Sequence, residues 1–131
     1  MDRVFLDANV LFSAAYGSPG LRRLWAQAAE GRCLLLTSTQ AVEEARRNLD
    51  TPTQQRRLAR LVRQVEIVPQ PVELSCPLEL PPEDRLIFLA AAAAGATHLL
   101  TGDLRHFGSY YGRRVQGVLV LRPAAYLGSS R

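Results

Sequence analysis

No lysine occurs anywhere in the 131 residues; all sixteen basic side chains are arginine. That absence excludes P-loop nucleotide chemistry, Schiff-base catalysis and any site built on a catalytic ammonium. It also excludes phosphotransfer receivers and haloacid-dehalogenase-like phosphatases, two α/β classes that set a lysine beside an acidic pocket. Cysteine is scarce: Cys33 and Cys76 stand far apart and outside any metal-ligand spacing. Cys33 lies in an apolar run and reads as a buried thiol. Long apolar runs are missing too. The longest nearly apolar segment, 86–100, contains Gly95 and His98 and is too short to cross a bilayer. Asp2, Arg3 and Asp7 interrupt the first apolar stretch, which does not resemble a signal peptide. The expectation is a cytoplasmic protein with no membrane segment.

What is present suffices for a core, with 47% hydrophobic against 21% charged residues, and the length suits a single domain over 1–131. Sixteen arginines against twelve acids leave a net charge of +4. An arginine-only balance suits phosphate partners, because guanidinium binds phosphate in a bidentate way. Arginine-biased codon usage in a GC-rich genome is the plainer account of the missing lysine.

Short apolar runs alternate with amphipathic segments. Val4-Phe5-Leu6 reads as a buried strand ending in Asp7, followed by a loop running into a short helix over 8–15. Ser18-Pro19 predicts a cap and first turn for a helix over 19–30, and Gly31 its end. Cys33–Thr37 predicts a strand, and Ser38 or Thr39 caps a helix to about Leu49. Asp50-Thr51-Pro52 restarts a helix to about Gln64, with Leu58, Leu61, Val62 and Val65 on one face and Arg56, Arg60 and Arg63 opposite. Glu66-Ile67-Val68 is a third strand, and 69–81 a surface loop. Pro82-Glu83-Asp84 opens a strong helix stopped at Gly95; Thr97–Thr101 and Val118–Leu121 are further strands, and Pro123 begins a last helical turn. Five short, non-alternating strands separated by helices predict a three-layer α/β/α sandwich with a central parallel sheet of about five strands. Such sheets place their sites at the carboxyl ends of strands, where strand order reverses.

The acids follow that rule. Asp7 ends the first strand and Asp103 follows the fourth, while Asp84 opens the long helix and Glu44 lies in the third helix. Each has an ordinary explanation by itself: Asp84 suits a helix N-terminus, Asp103 a Gly-Asp turn, and Glu43 and Glu44 a solvated face. Glu44 is nearer than Glu43 to the flank of the Val42/Ala45/Leu49 stripe and is the better inward candidate. Together, four carboxylates from remote segments converge on one sheet edge, where they repel one another unless a cation neutralises them. A hard divalent ion such as Mg2+ or Mn2+ is the natural partner, and it activates water for phosphoryl displacement. The residues predict a metal-dependent phosphodiesterase or phosphatase.

The segment Val4-Phe5-Leu6-Asp7-Ala8-Asn9-Val10-Leu11 resembles the opening motif of PIN-domain ribonucleases. Thr37-Ser38 through Glu44 to Leu49 is similar to their second acidic motif. Pro82-Glu83-Asp84-Arg85 with the Leu/Ala helix, and Ala96-Thr97-His98-Leu99-Leu100-Thr101-Gly102-Asp103, resemble the third and fourth. The likeness runs from residue 3 to about 122 and is strongest to the VapC-like toxins of toxin–antitoxin pairs. It implies an α/β/α sandwich and a Mg2+- or Mn2+-dependent endoribonuclease, with Asp7, Glu44, Asp84 and Asp103 as catalytic and metal-binding residues. Asn9 and Thr101 would support the site. It also implies an RNA substrate, a cognate antitoxin and a homodimer. The competing expectation is a catalytically weak PIN-like RNA-binding or regulatory module.

Six arginines against the single acid Asp50 lie between Arg46 and Arg63. They read either as a phosphate-tracking face or as the solvated side of two helices. Arg46, Arg47, Arg105 and His106 are the candidate RNA contacts, whereas His98 reads as a strand-face residue. Tyr110, Tyr111, Arg113 and Arg114 suit base stacking, and more simply loop packing. Trp25, spaced with Leu21 and Ala28, predicts core or a dimer face.

Overall fold

The computed structural model describes residues 1–72 and 75–129. Its first strand, β1 (Asp2–Leu6), passes directly into helix α1 (Ala8–Tyr16). There follow α2 (Arg22–Ala29), β2 (Cys33–Ser38), α3 (Thr39–Asn48), α4 (Pro52–Val62) and β3 (Glu66–Val68). The second half comprises α5 (Pro82–Ala93), β4 (His98–Leu100), α6 (Leu104–Phe107), a 3-10 turn at Gly108–Tyr110, β5 (Arg114–Val115), β6 (Val118–Leu121) and α7 (Pro123–Ser129). The strands form one sheet in the order β3-β2-β1-β4-β6-β5, parallel except for the β5–β6 pair. Helices cover it as the outer layers of an α/β/α sandwich: α5 packs on β2 and β4, α2 on β2, and α1 on α3 and α4.

Burial explains the apolar strands. Val4, Phe5 and Leu6 are wholly inaccessible, as are Leu35, Leu36, Leu99 and Leu100, because a parallel strand between two helical layers has no solvent face. The chain builds β2 and β3 to one side of β1 and then returns to add β4 on the other. The strand order therefore reverses at the β1/β4 boundary, and a crevice opens at the carboxyl ends of those two strands.

Several elements differ from expectation for local reasons. No loop separates β1 from α1, because Asp7 ends the strand and caps the helix at once: its carboxylate accepts from the Ala8 N–H at 2.7 Å. Helix α2 starts at Arg22 rather than at Pro19, without a side-chain cap, and the turn that closes α1 takes in Ser18. Its N–H donates to the Ser13 carbonyl, closing α1 over Gly17, whose φ of 127° suits glycine. A sixth strand, β5, joins β6 through a two-residue turn in which Gln116 and Gly117 both have positive φ, the form that matches hairpin twist. The stretch 104–117, which contains the loop expected around Tyr110, Tyr111, Arg113 and Arg114, is thus largely ordered into α6, the 3-10 turn and β5. The loop 69–81 is irregular where described; positions 73–74 within it lie outside the described residues. Trp25 is core rather than a dimer face: it is buried, and its indole N–H donates to the Leu61 carbonyl at 3.0 Å.

The arginine-rich helix α4 is held at its start and at its middle. Thr51 and Gln54 form a reciprocal capping box at its start, and the Arg57 guanidinium donates to the Ala15 carbonyl at the end of α1. Thr51→Ala removes the side-chain acceptor for the Gln54 N–H and is expected to cost about 1 kcal/mol of unfolding free energy. Urea denaturation reads this as a lower midpoint at constant slope, and an unchanged midpoint would show that the cap adds nothing.

Candidate active site

Asp7 lies at the β1/β4 boundary, only 3% exposed. Its second oxygen accepts from the Thr101 hydroxyl at 2.8 Å and from the Asn9 amide at 3.2 Å. Asn9 spans the crevice, since its own oxygen accepts from the Gly102 N–H at 2.7 Å. Thr101, wholly buried just beyond β4, also accepts from the Asp103 N–H at 3.1 Å. Asn9 and Thr101 therefore tie the ends of β1 and β4 into one hydrogen-bonded frame. Tyr111 supports that frame from outside, donating its hydroxyl to the Thr101 carbonyl at 2.8 Å.

The other acids surround this frame. Asp103 caps α6, accepting from the His106 N–H at 3.1 Å. Asp84 enters from the first turn of α5. Nδ1 of His106 lies 2.8 Å from a carboxylate oxygen of Asp84 and 2.8 Å from one of Asp103. Glu44, on α3, is partly buried on the same side, whereas Glu43 points to solvent and pairs with Arg46. Helix phase sets the two apart: Glu44 lies in the field of the cluster, whereas Glu43 pairs with Arg46.

Electrostatics show the crowding. Burial lifts the Asp7 carboxyl from its ordinary 3.8 to about 6, against the Thr101 and Ala8 hydrogen bonds, and Asp84 and Asp103 add to the rise. Glu44 is also pushed up, by burial first and then by Asp7, Glu83 and Asp103, with Arg47 opposing. Asp84 is raised by burial, and by Asp103, Glu44 and Glu83, while His106 pulls it down. Four carboxyls from four segments thus share one electrostatic neighbourhood. A cavity of about 350 Å³ adjoins it, lined by Ala8, Asn9, Phe12, Glu44, Ala45 and Asn48.

The donor set suits a divalent cation. Among the described residues, Asp84, Asp103 and His106 each offer one ligand atom, all within 4.8 Å of one another. Carboxylate oxygens are the ligands a hard ion prefers, and a cation there would offset both the burial that chiefly raises Asp7, Glu44 and Asp84 and the mutual repulsion that adds to it.

His106 stands differently from expectation: its Nδ1 is turned into the acid cluster, not out toward a phosphate. The signal was its spacing from Asp103, since residues three apart meet on a helix, but α6 itself was not foreseen. Tyr111 was assigned to loop packing and in fact braces Thr101 as well. Its neighbour Tyr110 bonds the backbone of Glu79, and the Arg113 and Arg122 guanidinium groups lie over Tyr110 and Tyr111 respectively. Of the basic candidates, Arg46 is engaged by Glu43, Arg47 acts on Glu44, and Arg105 is exposed on α6. His98 is remote in role, its ring edge-on to Tyr126 and its Nδ1 bonded to the Thr97 hydroxyl. No helix among the described residues is long and apolar enough to cross a membrane.

A carboxyl whose folded pKa lies above its unfolded value stabilises the fold below the unfolded pKa, and that contribution is lost as pH rises through the folded one. For Asp7 the window runs from about 4 to about 6, and the loss is roughly 3 kcal/mol. Glu44 and Asp84 act in the same direction. The metal-free protein is therefore expected to melt at a lower temperature at pH 7 than at pH 5, with Mn2+ restoring part of the difference at pH 7. Calorimetric melting with and without EDTA checks this; a melting temperature that rises over the same interval would contradict it.

Comparison with known proteins places this geometry. Residues 3–105 match the family model described as the PIN domain. No curated protein sequence matches the chain. Among solved structures, the fold is similar to a chain in the crystal structure of VapBC2 from Rickettsia felis bound to a DNA fragment from their promoter. The TM-score is 0.68 at 15% identity, covering 92% of this chain and 98% of that one.

Proposed function

The chain belongs to the PIN-domain family, and from that premise we propose that it is a Mg2+- or Mn2+-dependent endoribonuclease, the toxin of a toxin–antitoxin pair. The observation that carries the reading is the convergence of Asp7, Glu44, Asp84 and Asp103 at the β1/β4 boundary, close enough that each resists the ionisation of its neighbours. Such an arrangement is costly to a fold unless a cation uses it.

In this reading Asp7, Asp84, Asp103 and Glu44 hold the ion. When bound, a divalent ion supplies an activated water and neutralises charge on the phosphate undergoing displacement. Asp7 is kept in place by three donors, so its carboxylate cannot swing away when substrate arrives. Asn9 and Thr101 keep the β1 and β4 ends at a fixed separation. The cavity beside Glu44, with Phe12 on one wall and Asn48 on another, offers room for a nucleotide next to the scissile phosphate. Arg47 and Arg105 flank the site as phosphate contacts, with the arginine face of α4 available to more distant parts of the RNA.

The likeness to a chain of the VapBC2 structure supports a protein antitoxin as partner. We place residues 1–131 in one domain, active as a homodimer in the cytoplasm.

The test is cleavage of defined RNAs with Mn2+, with EDTA controls and with Asp7→Asn alongside. Loss of an outer-sphere partner typically costs 10–100-fold, so loss of a ligand is expected to lower cleavage by about 100-fold or more. Circular dichroism should show the variant folded. RNA cleavage that survives in Asp7→Asn or in EDTA would reject the proposal. A folded wild type that binds no Mn2+ near neutral pH in isothermal titration would favour the alternative, a catalytically weak RNA-binding or regulatory module.

A further inference from the structure

The position of His106 goes beyond a four-carboxylate site. We propose that His106 supplies a nitrogen ligand to the divalent ion held by Asp84 and Asp103, and that this mixed donor set favours Mn2+ over Mg2+. The inference rests on the metal-dependent reading of this site and specifies its ion.

Three observations support it. First, Nδ1 sits 2.8 Å from an oxygen of each aspartate, and ligand atoms on adjacent corners of an octahedral ion with bonds of about 2.1 Å stand about 3 Å apart. Both nitrogen–oxygen spacings are already close to that value. Second, the ring is held from its own backbone. Asp103 caps α6 through the His106 N–H, and the next residue, Phe107, is wholly buried, so the one-turn helix is anchored on both sides of the imidazole. Third, the ligand atoms of Asp84, Asp103 and His106 all lie within 4.8 Å of one another, and Asp7 beside them adds negative charge to the same neighbourhood. Mg2+ holds to oxygen donors and gives up water reluctantly, whereas first-row transition ions accept imidazole.

The experiment uses the full chain without a histidine tag, stripped with EDTA and titrated with Mn2+ or Mg2+ by calorimetry. Pulsed electron paramagnetic resonance of the Mn2+ form reads nitrogen coupling directly. Wild type is expected to show imidazole coupling and to bind Mn2+ about tenfold more tightly than Mg2+. His106→Gln should lose the coupling and that advantage, and His106→Asp should shift preference toward Mg2+. Mn2+ binding without nitrogen coupling in wild type, or coupling retained in both variants, overturns the inference while leaving the metal-dependent reading intact. If neither ion binds wild type, or if binding is unchanged in Asp84→Asn and Asp103→Asn, both are overturned.

Discussion

The structure depends on one buried carboxylate. Asp7 terminates the central strand, caps the first helix and accepts the Thr101 hydroxyl from across the sheet. Asn9, from α1, makes a parallel link, bonding Asp7 at the end of β1 and Thr101 and Gly102 beyond β4. Burial of Asp7 raises the free energy of the charged form, and three hydrogen bonds return part of that cost. The arrangement leaves a carboxylate that is rigid, poorly solvated and in need of a counter-charge. These are the properties that a metal-binding anchor requires.

Around that anchor the charge is sorted by position. The net charge of +4 conceals an acidic crevice at the carboxyl ends of β1 and β4, beside helices whose outward faces carry arginine. Glu43 and Glu44 illustrate the sorting. Adjacent in sequence, they are turned by helix phase so that one neutralises Arg46 in solvent and the other joins the cluster. A polyanion would be drawn to the basic face, while only an ion of opposite sign would settle in the crevice.

Much of this was legible in the residues. The runs Val4-Phe5-Leu6 and Leu99-Leu100 predict parallel strands because a strand buried on both faces has no polar alternation to display. Asp7, Asp84 and Asp103 stand out because each sits where an apolar element ends or begins. What escaped notice were features of weak local signal. Helix α6 has only four residues and rests on the Asp103 cap, and β5 has only two residues and forms because Gln116 and Gly117 turn the chain. Ser18-Pro19 has the pattern of a helix start, yet Ser18 belongs to the closing turn of α1, and α2 begins at Arg22 without a side-chain cap.

The sequence by itself determined the alternation of strands and helices and the class of fold, and it marked four acids as candidates, since apolar period, caps and strand-end residues are local properties. The tertiary structure alone decided which groups meet. Nothing in the spacing of residues 84, 103 and 106 states that an imidazole will stand between two aspartates, because α5 reaches them only by crossing the sheet. Nor does local pattern reveal that Tyr111 braces Thr101 or that Asn9 reaches Gly102. Those contacts arise where strand order reverses, and that reversal is a property of the folded sheet.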